Sequence, residues 1–301
     1  MQVTPDLLLG SVIGLVGAAL YGFSVVVYRS QADEINPVAV SAIKMWIALP
    51  FMIIVTLIVP GLEDAFLPVA TIFLLSSSVL LGAVIGDTIY LWSQARIGVS
   101  YAFPIAMSFP IITFFMTVGL LHEPLILSRL AGAIIAVLGV ILISNEQNQS
   151  QKSIEVHSKL DLLGIFGAIT TAILYAAGTT ILQIGIEGVD PIAGNLIRMI
   201  VGSVAFVPMV VVARLGGMAL PSRKATTRVI IAGFFGMAIG SLLYVMAVAM
   251  VGAAIMSVLA STAPLFAVPV SVLVLKEKVT TIASVGILAT IIGVILVIIG
   301  I

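Results

Sequence analysis

Long apolar stretches, broken by short polar or turn-forming segments, run along the whole chain. A stretch of about 20 apolar residues crosses the hydrocarbon core of a bilayer as a helix. Taken in order, the stretches predict ten helices, near 7–28, 38–59, 71–94, 100–121, 126–144, 161–184, 191–213, 228–250, 254–275 and 281–300. Between Arg228 and Lys276, 47 consecutive residues carry no Lys, Arg, Asp or Glu, enough for two spans, and Gly252-Ala253 supplies the tight turn between them. The one long polar connection, Asn145 to Leu160, holds Glu146, Lys152, Glu155, His157 and Lys159 and no apolar run, so it reads as a solvated linker. The predicted organisation is a first five-helix unit over 1–145, a linker over 146–160 and a second five-helix unit over 161–301.

Composition makes the solvent for these helices plain. Of 301 residues, 61% are hydrophobic and 9% charged, against about a quarter charged in soluble domains. Such a chain cannot cover a soluble surface, and the reading is an all-α, multi-pass protein of the cell membrane with the lipid bilayer as its surroundings. Thirteen basic residues balance thirteen acidic ones, so no charge excess points to nucleic acid. With no cysteine, there is no disulfide framework, thiolate metal site or cysteine nucleophile. The first span lacks a basic segment before it and is long enough to cross the membrane, so it is expected to be retained rather than cleaved as a signal.

Basic residues set orientation. Arg29, Arg96, Lys152, Lys159, Arg214, Arg223, Lys224, Arg228, Lys276 and Lys278 fall on one side of the predicted membrane and only Arg129 on the other. The bias places the linker in the cytoplasm and both termini outside.

Shifting the chain by 154 residues aligns its halves without a gap. Leu8-Leu9-Gly10 fall on Leu162-Leu163-Gly164, Leu20-Tyr21 on Leu174-Tyr175, and Pro37 and Ala39 on Pro191 and Ala193. Gly82, Gly86 and Tyr90 fall on Gly236, Gly240 and Tyr244, Pro110 on Pro264, Glu123 on Glu277, and Gly139-Val140-Ile141-Leu142 on Gly293-Val294-Ile295-Leu296. Apolar spans share Gly, Ala and Leu by chance, but Pro, Tyr and Glu coincide in the same register. Five spans per unit is an odd number, so the second unit enters the membrane inverted, an arrangement suited to alternating access.

These residues resemble the drug/metabolite transporter superfamily and, within it, the EamA-like ten-span permeases. The resemblance rests on the Pro-to-basic pattern of spans two and seven (Pro37 to Lys44, Pro191 to Arg198) and on Gly86-Asp87 with Tyr90. It rests also on Pro110 followed by Leu121-His122-Glu123-Pro124-Leu125, echoed by Pro264 and Leu275-Lys276-Glu277-Lys278-Val279. It implies a permease of small organic metabolites, with amino acids as the leading class.

Charges inside hydrocarbon are expensive and mark functional candidates. Three qualify: Lys44, Asp87 and Arg198. Lys44 lies seven residues past Pro37 and Asp87 nine before Arg96, about 10 and 13 Å along their helices from the same membrane face, so an ion pair between spans two and three is possible. The pair is either structural or coupled to protons. Arg198 falls on Lys44 by the repeat, but Ser241 stands where Asp87 would, leaving Arg198 to attract a substrate carboxylate or phosphate. The bland alternative for both basic side chains is snorkelling to the interface.

Pro104 and Pro110 in span four, and Pro264 and Pro269 in span nine, each remove a backbone donor. They can open the helix where it lines a cavity or only kink it for packing. Ser108 and Thr262, two residues before Pro110 and Pro264, can supply hydroxyls at those breaks. Tyr21, Tyr90, Tyr175 and Tyr244 recur in pairs and are candidate cavity linings, with Tyr21 and Tyr175 named as substrate contacts. Gly82 with Gly86, and Gly236 with Gly240, have the four-residue spacing of close helix packing. Glu123 and Glu277 at span ends suit capping or a loop ion pair.

No cofactor or metal is expected. Both histidines lie in predicted loops and only one acid lies within a span, which leaves no Ser-His pair, carboxylate dyad or histidine metal cluster in the membrane. An enzyme is therefore not expected. No ring of like charges suggests a channel, and no G-x-x-x-x-G-K-[ST] loop suggests ATP. The reading is a monomeric secondary transporter or exporter whose partner is a small-molecule substrate. The second reading is a carrier of anionic sugar-phosphate or nucleotide-type solutes, and the third a non-transporting scaffold.

Overall fold

A computed structural model of the chain describes residues 4–31, 34–59, 67–97, 99–149, 161–266, 269 and 281–300. Among the described residues every regular element is helical. Eight helices are long and apolar enough to cross a membrane, and Leu127–Ile143 is a shorter apolar helix.

The first half is built as follows. α1 covers Pro5–Arg29 and α2 Pro37–Ile58, each opened by a proline in its first turn behind a Thr4 or Asn36 cap, where the missing N–H costs nothing. The third span is not one regular helix as its sequence suggests: α3, Val69–Val79, passes through a π-helical segment, Leu80–Gly86, into α4, Asp87–Ile97. The fourth is split as well, into α5, Val99–Ala106, and α6, Phe109–Leu120. α7, Leu127–Gln149, extends beyond its apolar part into the first residues of the expected linker. Asn145 to Gln149 contain no Pro or Gly to stop it; the remainder of the linker lies outside the described residues.

The second half repeats the pattern: α8, Leu162–Ile186; α9, Pro191–Leu215; α10, Arg223–Gly233; a π-helical segment, Phe234–Ile239; α11, Gly240–Ser261; and α12, Thr281–Ile299. α10 begins five residues before the expected start because the Ser222 side chain caps it, accepting from the Ala225 N–H at 3.1 Å. The apolar segment Arg223–Ser261 is 39 residues long but does not run straight. At Gly252 φ is 80° and ψ 168°, a conformation open essentially to glycine alone. A Cβ built on Gly14 would lie 2.9 Å from Leu259 Cδ1 and 3.4 Å from Ala247 Cβ, so those two atoms are within about 6 Å of each other. A continuous helix would part residues 247 and 259 by about 18 Å. The chain therefore folds back at Gly252, where the sequence places a turn.

The 154-residue offset also holds in irregular geometry. The two π-helical segments start at Leu80 and Phe234, and the two breaks fall at Ser108 and Thr262, each pair one offset apart. Repeat mates pack against each other head to tail. In α7 and α12, Gly132 meets Gly293 and Gly139 meets Gly286: a Cβ on Gly132 would stand 2.7 Å from the Gly293 oxygen, and one on Gly139 2.6 Å from the Gly286 oxygen. As numbers rise along one helix they fall along the other. α2 and α9 behave alike, with Trp46 Nε1 donating to the Ser203 oxygen at 3.1 Å and Asn195 Nδ2 to Met52 Sδ at 3.3 Å. Met45, Met52, Met199 and Phe206, all without exposure, fill this crossing.

Candidate functional site

The three intramembrane charges sit on either side of that crossing. Lys44 Nζ lies 2.5 Å from Asp87 Oδ2, joining α2 to the first residue of α4. Asp87 directly follows the π-helical segment, whose wider turn sets the direction in which the next helix presents its first side chain. Its other oxygen, Oδ1, accepts the Tyr175 hydroxyl at 2.7 Å. Tyr175 belongs to α8 in the second half, so the carboxylate ties the two halves together. A Cβ on Gly86, next to Asp87, would come within 3.0 Å of the Tyr175 ring; glycine there lets the tyrosine reach the acid.

Tyr21 belongs to the same chamber. It stands within electrostatic range of Asp87, Tyr90 and Tyr28, as Tyr175 does of Asp87, Tyr21 and Tyr90. Tyr21 is 40% exposed although it faces inward: the lipid-facing stripe of α1 runs through Leu8, Val12 and Val16, and nine residues at 100° each put Tyr21 half a turn away from Val12. Its exposure is to a space between helices. Phe103 packs edge-on to Tyr90, and Phe109 to Tyr175.

Arg198 occupies the equivalent place in the second half and is buried, with 7% exposure. Nε donates to Ser78 Oγ at 3.1 Å and an Nη group to Asn195 Oδ1 at 3.4 Å. Asn195 Nδ2 donates in turn to Ser241 Oγ at 3.1 Å. Among the described residues the ion pairs are Lys44–Asp87 and Arg96–Asp161, and neither reaches Arg198. An ion buried without an opposite charge is costly, and two neutral acceptors offset only part of that cost. The two half-sites are linked along α8: Thr179 Oγ1 donates to the Tyr175 carbonyl at 2.8 Å, which leaves Tyr244 as the donor in the 2.7 Å contact between the Tyr244 and Thr179 hydroxyls.

The sequence pairs Lys44 with Asp87 and makes Arg198 the repeat mate of Lys44; Tyr175, read there only as a cavity lining, is bonded to Asp87 in the structure. The proline-adjacent hydroxyls have local partners instead. Ser108 donates to the Ile105 carbonyl at 2.7 Å and fully buried Thr262 to the Leu259 carbonyl at 2.6 Å. Both bond back to the preceding turn of their own helix, as Thr113, Thr171 and Ser257 do in unbroken stretches. Pro104 lies within α5 and Pro110 in the first turn of α6, so the break falls between them. Pro264 follows the break at Thr262, and the residues on either side of exposed Pro269 lie outside the described set. Of the glycine pairs, Gly236 presses on Ser24, whereas a Cβ on Gly82 would meet nothing within 4 Å. Asn195, Ser78 and Thr179 were not singled out; an asparagine within an apolar span was the available signal. Glu123 Oε1 accepts from Gln183 Nε2 at 2.7 Å, and Gln183 Oε1 accepts from the Ala253 N–H at 2.6 Å, pinning the Gly252 turn. Glu277 lies outside the described residues.

At the membrane edge Asp161 Oδ1 accepts the Leu163 N–H at 3.0 Å, capping α8, while Oδ2 binds Arg96 at 2.6 Å. The Arg96 guanidinium, which also stands 4.7 Å over the Trp92 ring, holds the Asp161 carboxyl below the usual carboxylate range.

The pattern of the EamA-like transporter family matches residues 8–145 and again 162–299. The chain belongs to the EamA-like transporter family. It is a multi-pass membrane protein of a family of transporters of small solutes. One solved structure, described only as the crystal structure of a protein, superimposes with a TM-score of 0.79 at 13% identity, over 96% of this chain and 96% of its own. That likeness shows the fold alone. No curated protein matches the sequence.

Proposed function

We propose that this member of the EamA-like transporter family is a secondary transporter or exporter of small organic metabolites, amino acids first among them, working by alternating access. In this reading ten spans form two inverted units, 1–145 and 161–301, joined by a cytoplasmic linker, with both termini outside. The head-to-tail packing of α7 on α12 and of α2 on α9 supports the inversion, and the basic-residue bias supports the orientation. Reporter fusions at the two termini and in the linker test the latter; a cytoplasmic N-terminus overturns it.

One observation carries the substrate reading. The first half neutralises its own intramembrane cation, Lys44 on Asp87, whereas among the described residues the hydrogen bonds of Arg198 go to Ser78 and Asn195. A solute carboxylate supplies what Ser241 does not, and charge-assisted bonds to a guanidinium are the strong ones. Arg198 thus draws the anionic end of the solute, and the Asp87 carboxylate, which holds both Lys44 and the Tyr175 hydroxyl, joins an ion pair of the first half to the contact between halves; the pair is structural or coupled to protons.

Proteoliposomes loaded with a panel of amino acids and phosphorylated metabolites, with and without a pH gradient, test this. Gradient-stimulated movement of amino acids that Arg198→Gln reduces at least tenfold is the expected result. Movement of sugar phosphates or nucleotides alone favours the anionic-solute carrier, which would use the same arginine more fully. No movement of any solute overturns the transporter reading and leaves a scaffold.

A further inference from the structure

The geometry points to a built binding site for an organic ammonium group at Asp87, walled by Tyr21 and Tyr175 and occupied in this structure by the protein's own Lys44. The inference rests on the transporter reading above and deepens it, since it assigns the amine of the solute a place distinct from Arg198.

Three observations carry it. First, Asp87 Oδ2 already holds an ammonium, that of Lys44, at 2.5 Å, while Tyr175 donates to Oδ1 and fixes the carboxylate's orientation. The geometry that accepts a primary ammonium is therefore present rather than hypothetical. Secondly, the surroundings are aromatic. Tyr175 of α8 lies on the carboxylate itself with Phe109 packed edge-on to it, Tyr21 and Tyr28 of α1 lie within electrostatic range of Asp87, and Phe103 packs edge-on to Tyr90 of α4. Aromatic walls suit an ammonium whose organic part carries an apolar or aromatic surface of its own. Thirdly, the chamber is reachable: Tyr21 is 40% exposed on the face of α1 turned away from lipid, and the Asp87 side chain keeps 16% exposure against 9% for Lys44.

The second half shows what the same place looks like without this function. Ser241 replaces Asp87 and accepts from Asn195, and Tyr244, the mate of Tyr90, spends its hydroxyl on Thr179. The cation of that half, Arg198, meets neutral groups, Ser78 and Asn195, and among the described residues no carboxylate stands at this place.

Lys44 then acts as a tethered competitor. Side chains on a helix lean toward its N-terminus, and Lys44 lies seven residues from Pro37 at the start of α2. Displaced by an incoming ammonium, it can extend toward that end and reach water. The exchange is neutral: one ammonium leaves the carboxylate as another arrives. A fixed structural ion pair would behave in the opposite way, since removing Lys44 would then only damage the protein.

Equilibrium binding to the purified full-length protein in detergent, followed calorimetrically with benzylamine as the probe, tests this. Benzyl alcohol, of the same shape without charge, and benzoate serve as controls. The wild type is expected to bind benzylamine and not the alcohol. Lys44→Met is expected to tighten benzylamine binding about tenfold and Asp87→Asn to abolish it. Tyr21→Ala, which touches neither bond of the Lys44–Asp87–Tyr175 set, is expected to weaken it about tenfold through the loss of a ring against the probe's own ring. Equal binding of amine and alcohol, retained binding in Asp87→Asn, or unchanged binding in a folded Lys44→Met overturns the proposal. Should Lys44→Met fail to fold, unchanged binding in Tyr21→Ala overturns it instead. Benzylamine binding in a protein that moves no solute sinks the transporter reading and keeps this site; solute transport without amine binding does the reverse.

Discussion

The Tyr175 hydroxyl on α8 donates to Asp87 Oδ1 at 2.7 Å, while Lys44 on α2 holds Oδ2 at 2.5 Å. One carboxylate thus joins an ion pair inside the first half to a hydrogen bond from the second. The bond from Tyr175 is the only part of this set that a change of relative position between halves must break, whereas Lys44 and Asp87 can move together.

Tyr175→Phe isolates that bond. It keeps the ring against Gly86 and Phe109 and removes only the donor to a charged acceptor, so stability should fall by about 2 kcal/mol. Thermal unfolding in detergent reads the loss. Lys44→Met in the same assay should cost more, because it leaves the carboxylate without its counter-charge. A Tyr175→Phe midpoint equal to that of the wild type would mean the hydroxyl bond contributes nothing to holding the halves.

Much of this arrangement was legible beforehand, for identifiable reasons. Apolar length and a fixed offset are properties of the chain itself, and Lys44 and Asp87 could be paired because both depths follow from helix rise. The partners of Arg198 could not be read in the same way. Ser78 lies 120 residues from Arg198, and only the packing of α3 on α9 brings the two together. The π-helical segments escaped notice because Gly82, Gly86, Gly236 and Gly240 suit close packing in a regular helix as well as they suit a widened turn. The partners of the Ser108 and Thr262 hydroxyls are local, because a Ser or Thr in a helix can donate to the carbonyl of the preceding turn wherever its rotamer allows, which spacing to a proline does not reveal.

The glycine crossing of α7 and α12 should be intolerant of even one methyl group. A Cβ on Gly293 would lie 2.5 Å from the Gly132 oxygen, and one on Gly139 2.6 Å from the Gly286 oxygen; these are backbone atoms that cannot rotate away. Gly293→Ala or Gly139→Ala should each cost about 2 kcal/mol or more through forced separation of the helices. Gly82→Ala meets nothing within 4 Å and should leave the unfolding midpoint unchanged. Equal effects at all three positions would contradict the packing described.

Gly252 should resist substitution for a conformational reason rather than for space. Its φ of 80° with ψ of 168° lies where a Cβ is strained by about 1 to 3 kcal/mol, and a Cβ would also sit 3.4 Å from Gln183 Oε1. Gly252→Ala is expected to lower the midpoint, and Gln183→Ala to lower it further because both Glu123 and the Ala253 N–H lose their partner. A protease-sensitivity assay on the turn should show faster cleavage in both.

The Arg96–Asp161 pair gives a pH signature at the membrane edge. Arg96 holds the Asp161 carboxyl below the usual range, so the pair adds stability that is present above the unfolded carboxyl value and is lost as pH falls through the folded one. Both side chains are about a third exposed, and salt screens such pairs. Wild type and Arg96→Gln should therefore differ most at neutral pH and low salt, and should converge in acid or at high salt. A difference that persists in acid would assign the effect to the Trp92 contact instead.

Ser241→Asp is the most telling substitution for the solute. It places in the second half the carboxylate that Asp87 provides in the first, on a residue already linked to Arg198 through Asn195 at 3.1 and 3.4 Å. Arg198 would gain an internal counter-ion, so the folded protein should lose no stability and can gain some, in contrast to most charges introduced within a span. Movement of carboxylate-bearing solutes in proteoliposomes should nevertheless fall at least tenfold, because the guanidinium is occupied. Benzylamine binding at Asp87 should be unaffected, since its partners are Lys44, Tyr21 and Tyr175. Stability kept and carboxylate transport lost is the combination expected of an arginine that waits for its anion; transport retained with Arg198 neutralised would remove that arginine from the path of the solute.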